Sequence, residues 1–234
     1  MVIQGRVKST IPQTWKRAVR KCRVSLDVKH LHGPKDVRLA DDEAAVTCVL
    51  KNGAFYLESF LKHYACLGFR HILLLDNGST DETLGIARRN SNVSIFQSGL
   101  PIEAHQADFK RYLARHVVGG WCLDADIDEF FDYPWSESMP LHELLRYLTH
   151  YNYTAVVTHL LDVFATPSVG NVKEMSDADL AMKYCYYDLT DITTMEYCDA
   201  PMVNRFGNGN IPALGAARLH WGASGKLCGG IIAC

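Results

Sequence analysis

The chain has 234 residues, 48% of them hydrophobic, and a formal net charge of -2. Such a length and composition suit one α/β domain with a real core and exclude wholesale disorder. A near-neutral balance gives no case for a nucleic-acid partner, and no apolar run approaches the ~20 residues needed to span a bilayer.

Residues 1–40 read as a basic, peripheral N-terminal extension. Arg6, Lys8, Lys16, Arg17, Arg20, Lys21 and Arg23 occur there before the first acid, Asp27. An amphipathic piece covers Trp15–Val24, and His32-Gly33-Pro34 is turn-prone. The segment is expected to be a solvated tail or a contact to an anionic membrane surface or partner. It lacks the apolar centre of a secretion signal.

From residue 41 onward the pattern is that of one domain. Ala45–Leu50 predicts a strand buried on both faces, and Leu57, Phe60, Leu61 and Tyr64 form the stripe of an amphipathic helix. Gly68 offers its C-terminal stop. A second apolar strand, Ile72–Leu75, ends at Asp76, followed by a helix over 81–89 and a strand over Val93–Phe96. Phe109, Tyr112, Leu113 and His116 predict the next helix, leading to a strand at Trp121–Leu123. Leu141, Leu144, Leu145 and Leu148 mark another helix, and Thr154–Thr158 another strand. Strands separated by helices of this size predict α/β architecture, a mostly parallel central sheet flanked by helices. Ligands of such sheets bind beyond the carboxyl ends of the strands, where strand order reverses.

Eight cysteines are scattered without a C-x-x-C pair, which counts against zinc. Cys48, Cys66 and Cys122 lie in apolar runs and read as small hydrophobes in a reduced, cytoplasmic chain. Asn77, Asn92 and Asn152 each open an N-x-S/T triplet, which has little force without a secretion signal.

The chemistry is concentrated in Gly120-Trp-Cys-Leu-Asp-Ala-Asp-Ile-Asp-Glu-Phe-Phe131. In an extended chain Asp124, Asp126 and Asp128 share one face while Ala125 and Ile127 turn to a core. Three crowded carboxylates oppose one another's ionisation, and the usual relief is a hard divalent cation. An EF-hand loop starting at Asp124 would need glycine and glutamate where Glu129 and Trp135 stand. An aspartyl-nucleophile phosphatase would need threonine or valine where Asp128 or Phe130 stands. A second constellation is Asp76-Asn77-Gly78-Ser79-Thr80-Asp81-Glu82. Asn-Gly makes a tight turn there and Ser79 with Glu82 predicts a capping box. Asp76 remains as an acceptor for a base N–H or a ribose hydroxyl. Lys51 and Asn52 end the first strand, Asn52 suited to a base edge and Lys51 to a diphosphate.

Residues 44–165 resemble the glycosyltransferase family 2-like proteins of the GT-A fold. The resemblance is carried by V-L-K-N at Val49–Asn52, F-L-K-H-Y-x-x-L-G-F at Phe60–Phe69 and L-L-L-D-N-G-S-T-D-E-T at Leu73–Thr83. The acidic run and L-L-D-V-F at Leu160–Phe164 complete it. It implies a nucleotide-binding part over 44–133 and an acceptor-side part over 134–234. A nucleotide-sugar donor would be held by Asn52, Lys51, Asp76, Asn77 and Asp126, and Mn2+ or Mg2+ by Asp126, Asp128 and His220. The family's D-x-D-E-F falls on Asp126, Asp128, Glu129 and Phe130, with a register of Asp124 and Asp126 also open. The family's K-N-E is Lys51-Asn52-Gly53 here, which puts part of the donor site in question. A catalytic base for an inverting transfer is expected among Asp162, Asp188, Asp191 and Glu196, with Asp191 preferred and Asp188 next.

The resemblance implies sugar transfer to a glycan or lipid-linked acceptor in cell-surface polysaccharide synthesis, on the cytoplasmic side or at the membrane surface. Two rivals use the same residues: a metal-dependent phosphohydrolase, and a non-catalytic sugar-nucleotide binding protein. The glycine-rich stretches 204–210 and 222–230 read either as a mobile acceptor-side loop with a short tail or as an incomplete acceptor side.

Overall fold

Strand and helix patterns alternate into an α/β fold whose centre is a mostly parallel sheet flanked by helices. The computed structural model describes residues 13–156, 158, 193–195, 218–220 and 231–233. In chain order the first elements are α1 (Gln13–Asp27), β1 (Lys29–His32), β2 (Val37–Arg38), β3 (Ala44–Leu50), α2 (Ala54–Leu67) and β4 (His71–Asp76). Next come α3 (Thr83–Arg88), β5 (Val93–Gln97), α4 (Ile102–Ala114), β6 (Val117–Val118) and β7 (Trp121–Asp124). They are followed by α5 (Leu141–His150), β8 (Ala155–Val156), β9 (Thr193–Met195), β10 (Arg218–His220) and β11 (Ile231–Ala233).

The main sheet has the order β1-β5-β4-β3-β7-β11-β8. Its four central strands are parallel, and β1, β11 and the β8 edge join antiparallel. Strand order therefore runs outward from β3 in one direction through β4 and β5, then reverses to β7 on the other side. That reversal is where α/β sheets form sites.

Period two separates two cores. Val46, Cys48 and Leu50 of β3, with Trp121 and Leu123 of β7, pack against α2, α3 and α5. Ala45 and Val49, with Cys122, pack against α4 and α1. The residues buried on α2 are Leu57, Phe60, Leu61 and Tyr64, the stripe read from the sequence. Gly68 ends it in the left-handed region at φ 101°, where a side chain would strain the backbone.

Several expectations are corrected. Residues 29–38 are not peripheral: β1 forms the sheet edge beside β5, β2 pairs with β6, and Val24 and Val37 are buried. His116 lies beyond α4, stacked on Phe96 and bonded to Asp36, and the buried stripe is instead His105, Phe109 and Leu113. Cys66 is exposed, on the outer face of α2. Ser79 and Glu82 form no capping box, because Ser79 Oγ is taken by the backbone N–H of Asn52. Ile231–Ala233, read as a tail, is a strand between β7 and β8. Among the described residues no helix is long and apolar enough to cross a membrane.

Candidate functional site

The acidic run begins as a strand and ends as a turn. Leu123 and Ala125 are buried in the core on the α2 side, and Ile127 packs against it. Asp124 and Asp126 consequently share the opposite face, towards α4. There the Lys110 ammonium sits between them, 2.9 Å from Asp124 Oδ2 and 2.9 Å from Asp126 Oδ1. Thr47, opposite Asp124 in the β3–β7 register, donates its hydroxyl to Asp124 Oδ1 at 3.3 Å. The cluster occupies the carboxyl end of β7 where it lies beside the middle of β3, at the reversal of strand order.

Its charges are unevenly matched. Burial works against the Lys110 charge, but the two carboxylates outweigh it and hold the ammonium above the ordinary lysine range. Burial raises the Asp124 pKa; Lys110 opposes that rise and the Asp126 charge adds to it. One cation serves two anions, so the cluster keeps a net negative charge. Burial, with Asp126 and Asp124 nearby, also pushes the Cys48 thiol well up, which makes it an inert core residue.

Strand alternation stops at Asp126. The Glu129 N–H bonds the Asp126 carbonyl at 3.0 Å, and Glu129 Oε2 accepts the Asp126 N–H at 2.9 Å. This turn takes Asp128 off the shared face and leaves it exposed. Tyr64 anchors the backbone beyond the turn: its hydroxyl donates to the Glu129 carbonyl at 2.9 Å and accepts the Phe131 N–H at 3.1 Å. His63 Nε2 meets the Phe131 carbonyl at 2.8 Å. Two adjacent residues of α2 thus lock the chain after the carboxylates.

The other expected donor-site residues are drawn into bracing the loops. Asp76 is buried, and its carboxylate accepts the N–H groups of Gly78 and Ser79 and Nε2 of Gln97. Asn77 Nδ2 donates to the carbonyls of Ser98 and Leu100. Asn52, at φ 53°, accepts the Thr80 N–H. A base or ribose contact to Asp76 would have to share a carboxylate that already accepts three donors. Lys51 is exposed at the end of β3. At Gly53 a Cβ would make only ordinary contact with Ile127 and Leu50, so space does not exclude a side chain there.

Asp188 and Asp191, like Asp162 and Glu196, lie outside the described residues. His220 ends β10, with its backbone opposite Thr193 of β9. Among the described residues no three His, Cys, Asp or Glu side chains come together as a metal-binding group. Lys110 escapes a reading of the sequence. Its one signal is a lysine bordering the buried stripe of α4, where a long stem lies along the fold and carries its charge to an edge.

No protein-family model matches the chain, and no curated protein matches it.

Proposed function

We propose that the chain is a nucleotide-sugar-dependent glycosyltransferase of the GT-A type. The observation that carries this reading is the acidic cluster at the carboxyl end of β7, beside the reversal of strand order. Further support comes from the rigid turn that presents Asp128 to solvent directly after it.

A divalent cation fits the chemistry of the donors. Asp126 and Asp128 are hard oxygen ligands, and a Mg2+ or Mn2+ ion carried by substrate phosphates takes only one or two carboxylates from a protein. Asp124 has one oxygen on Lys110 and the other on Thr47, which favours the Asp126–Asp128 register. When bound, such an ion neutralises the charge on a departing diphosphate. Within the chain, Lys110 holds Asp124 and Asp126 in line, Tyr64 fixes the backbone after the turn, and exposed Lys51 offers a second positive charge to phosphate. The acceptor would enter from the side of residues 134–234, where Asp191 or Asp188 would take the hydroxyl proton.

The test is calorimetric titration of UDP, GDP, CDP and CMP with and without manganese, on the native chain and on Asp128→Ala. The expected result is one nucleotide bound in a manganese-dependent way and lost in the variant. Normal binding by the variant would move the cation to Asp124 and Asp126. Absence of binding to every nucleotide would overturn the reading. Phosphate release from a phosphomonoester without any acceptor would favour the phosphohydrolase instead.

A further inference from the structure

Helix α1 is attached to the fold by its far end and turns an apolar stripe away from it. Val24 is the one described side chain of the helix in the core, where α1 packs on α4, and Asp27 caps the contact by accepting the Gly99 N–H and the Ser98 hydroxyl. On the opposite side Trp15, Val19, Cys22 and Leu26 follow one another at i, i+4, i+7 and i+11. With 3.6 residues per turn these four fall in a strip roughly 60° wide, about half a turn from Val24. Trp15 is 67% exposed, Val19 59% and Leu26 88%. A helix of a water-exposed domain ordinarily turns such a stripe inward. Here the inward contact rests on one valine.

The rest of the helix surface is basic. Arg23 lies beside the stripe, Arg20 and Lys21 lie further round on either side, and Arg17 lies near the Val24 face, all exposed. No acidic side chain occurs in the helix before Asp27. A tryptophan and aliphatic residues on one face, with arginine and lysine over the polar remainder, match the requirements of an anionic bilayer surface. The apolar side chains enter the acyl boundary and the bases stay among the headgroups.

We infer that α1 is a membrane-surface helix that docks the domain on anionic lipid through Trp15, Val19 and Leu26, with Arg20, Lys21 and Arg23 on the headgroups. The occupant is an anionic lipid surface because every exposed charge on the helix before Asp27 is basic. The helix lies in the interface plane, about 22 Å long at 1.5 Å per residue, and does not cross. Docking is independent of the chemistry at Asp126, and vesicle binding and nucleotide binding can each fail alone.

The test is co-sedimentation of the full chain with vesicles of one part phosphatidylserine to three parts phosphatidylcholine, against phosphatidylcholine alone. The chain should sediment with the anionic vesicles only and be released by raised salt. Arg20→Gln with Arg23→Gln should weaken partitioning by about 25-fold, at roughly fivefold for each charge. Trp15→Ser with Leu26→Ser should weaken it at least roughly tenfold. All four positions are exposed, so unchanged circular dichroism and melting would show that the variants fold. Equal binding to both vesicle types, or binding to neither, would overturn the inference. Concentration-dependent dimerisation abolished by Trp15→Ser, without vesicle binding, would do so too and would give the stripe to a second copy of the chain.

Discussion

Replacing Lys110 with methionine keeps most of the apolar stem of the side chain and removes the charge between Asp124 and Asp126. Its ammonium is 2.9 Å from an oxygen of each. At an effective dielectric of about 20 each contact carries roughly 6 kcal/mol of gross attraction. Against this stand desolvation of the ammonium and repulsion between the carboxylates. Removing one partner of a fully buried pair costs about 3–5 kcal/mol, and an exposed pair contributes about 0–1 kcal/mol. The side chains of Lys110, Asp124 and Asp126 are 25%, 29% and 35% exposed. The expected loss at neutral pH is therefore about 2 kcal/mol, between those limits. It depends on pH in a definite sense. The Asp124 pKa already lies above its ordinary 3.8, and losing Lys110 raises it further. A carboxyl whose folded-state pKa is raised contributes stability below its unfolded value and loses it as pH rises through the folded value. The deficit of the variant should thus be small near pH 4 and grow as pH rises from there. Urea unfolding followed by circular dichroism at acidic and neutral pH measures it. A variant within about 0.5 kcal/mol of the native chain at both would mean that Lys110 is no more than a surface cation, and the account of the cluster would fall.

Tyr64→Phe should cost about 2 kcal/mol, since it strands the Phe131 N–H and removes a donor from the Glu129 carbonyl. Amide exchange at Phe131 should quicken; unchanged exchange would mean that the turn is held by other contacts. Asp76→Ala should cost about 3 kcal/mol by orphaning Gly78 N–H, Ser79 N–H and the Gln97 amide. A variant of native stability that has lost nucleotide binding would refute this and return Asp76 to the donor.

How far each feature is legible in the sequence depends on how local it is. Burial of β3 on both faces, the α2 stripe and the stop at Gly68 rest on periodicity and one backbone angle, and each can be read directly. Ser79 misleads because its partner, the Asn52 N–H, comes from a loop 27 residues earlier. A capping box is the local solution, and the tertiary one displaces it. The edge strand Lys29–His32 is hidden for a related reason. Its pattern is mostly exposed, and only pairing with β5 makes it a strand.

The acidic run shows the same division within one site. Alternation rightly puts Ala125 and Ile127 towards the core, and so Asp124 and Asp126 on one face. It fails at Asp128, because Glu129 closes a turn on the Asp126 N–H and carbonyl that no period-two pattern contains. Electrostatics demands a cation beside the carboxylates, and a divalent ion is the natural inference. The chain supplies a first one itself from α4, whose placement over β3 and β4, with Lys110 reaching across to Asp124 and Asp126, depends on the crossover rather than on any spacing within the run. With Lys110 between Asp124 and Asp126, the carboxylate that it does not meet, Asp128, lies towards the turn. On the transferase reading proposed above, a cation arriving with phosphate would meet Asp126 and the exposed Asp128 before it could reach Asp124.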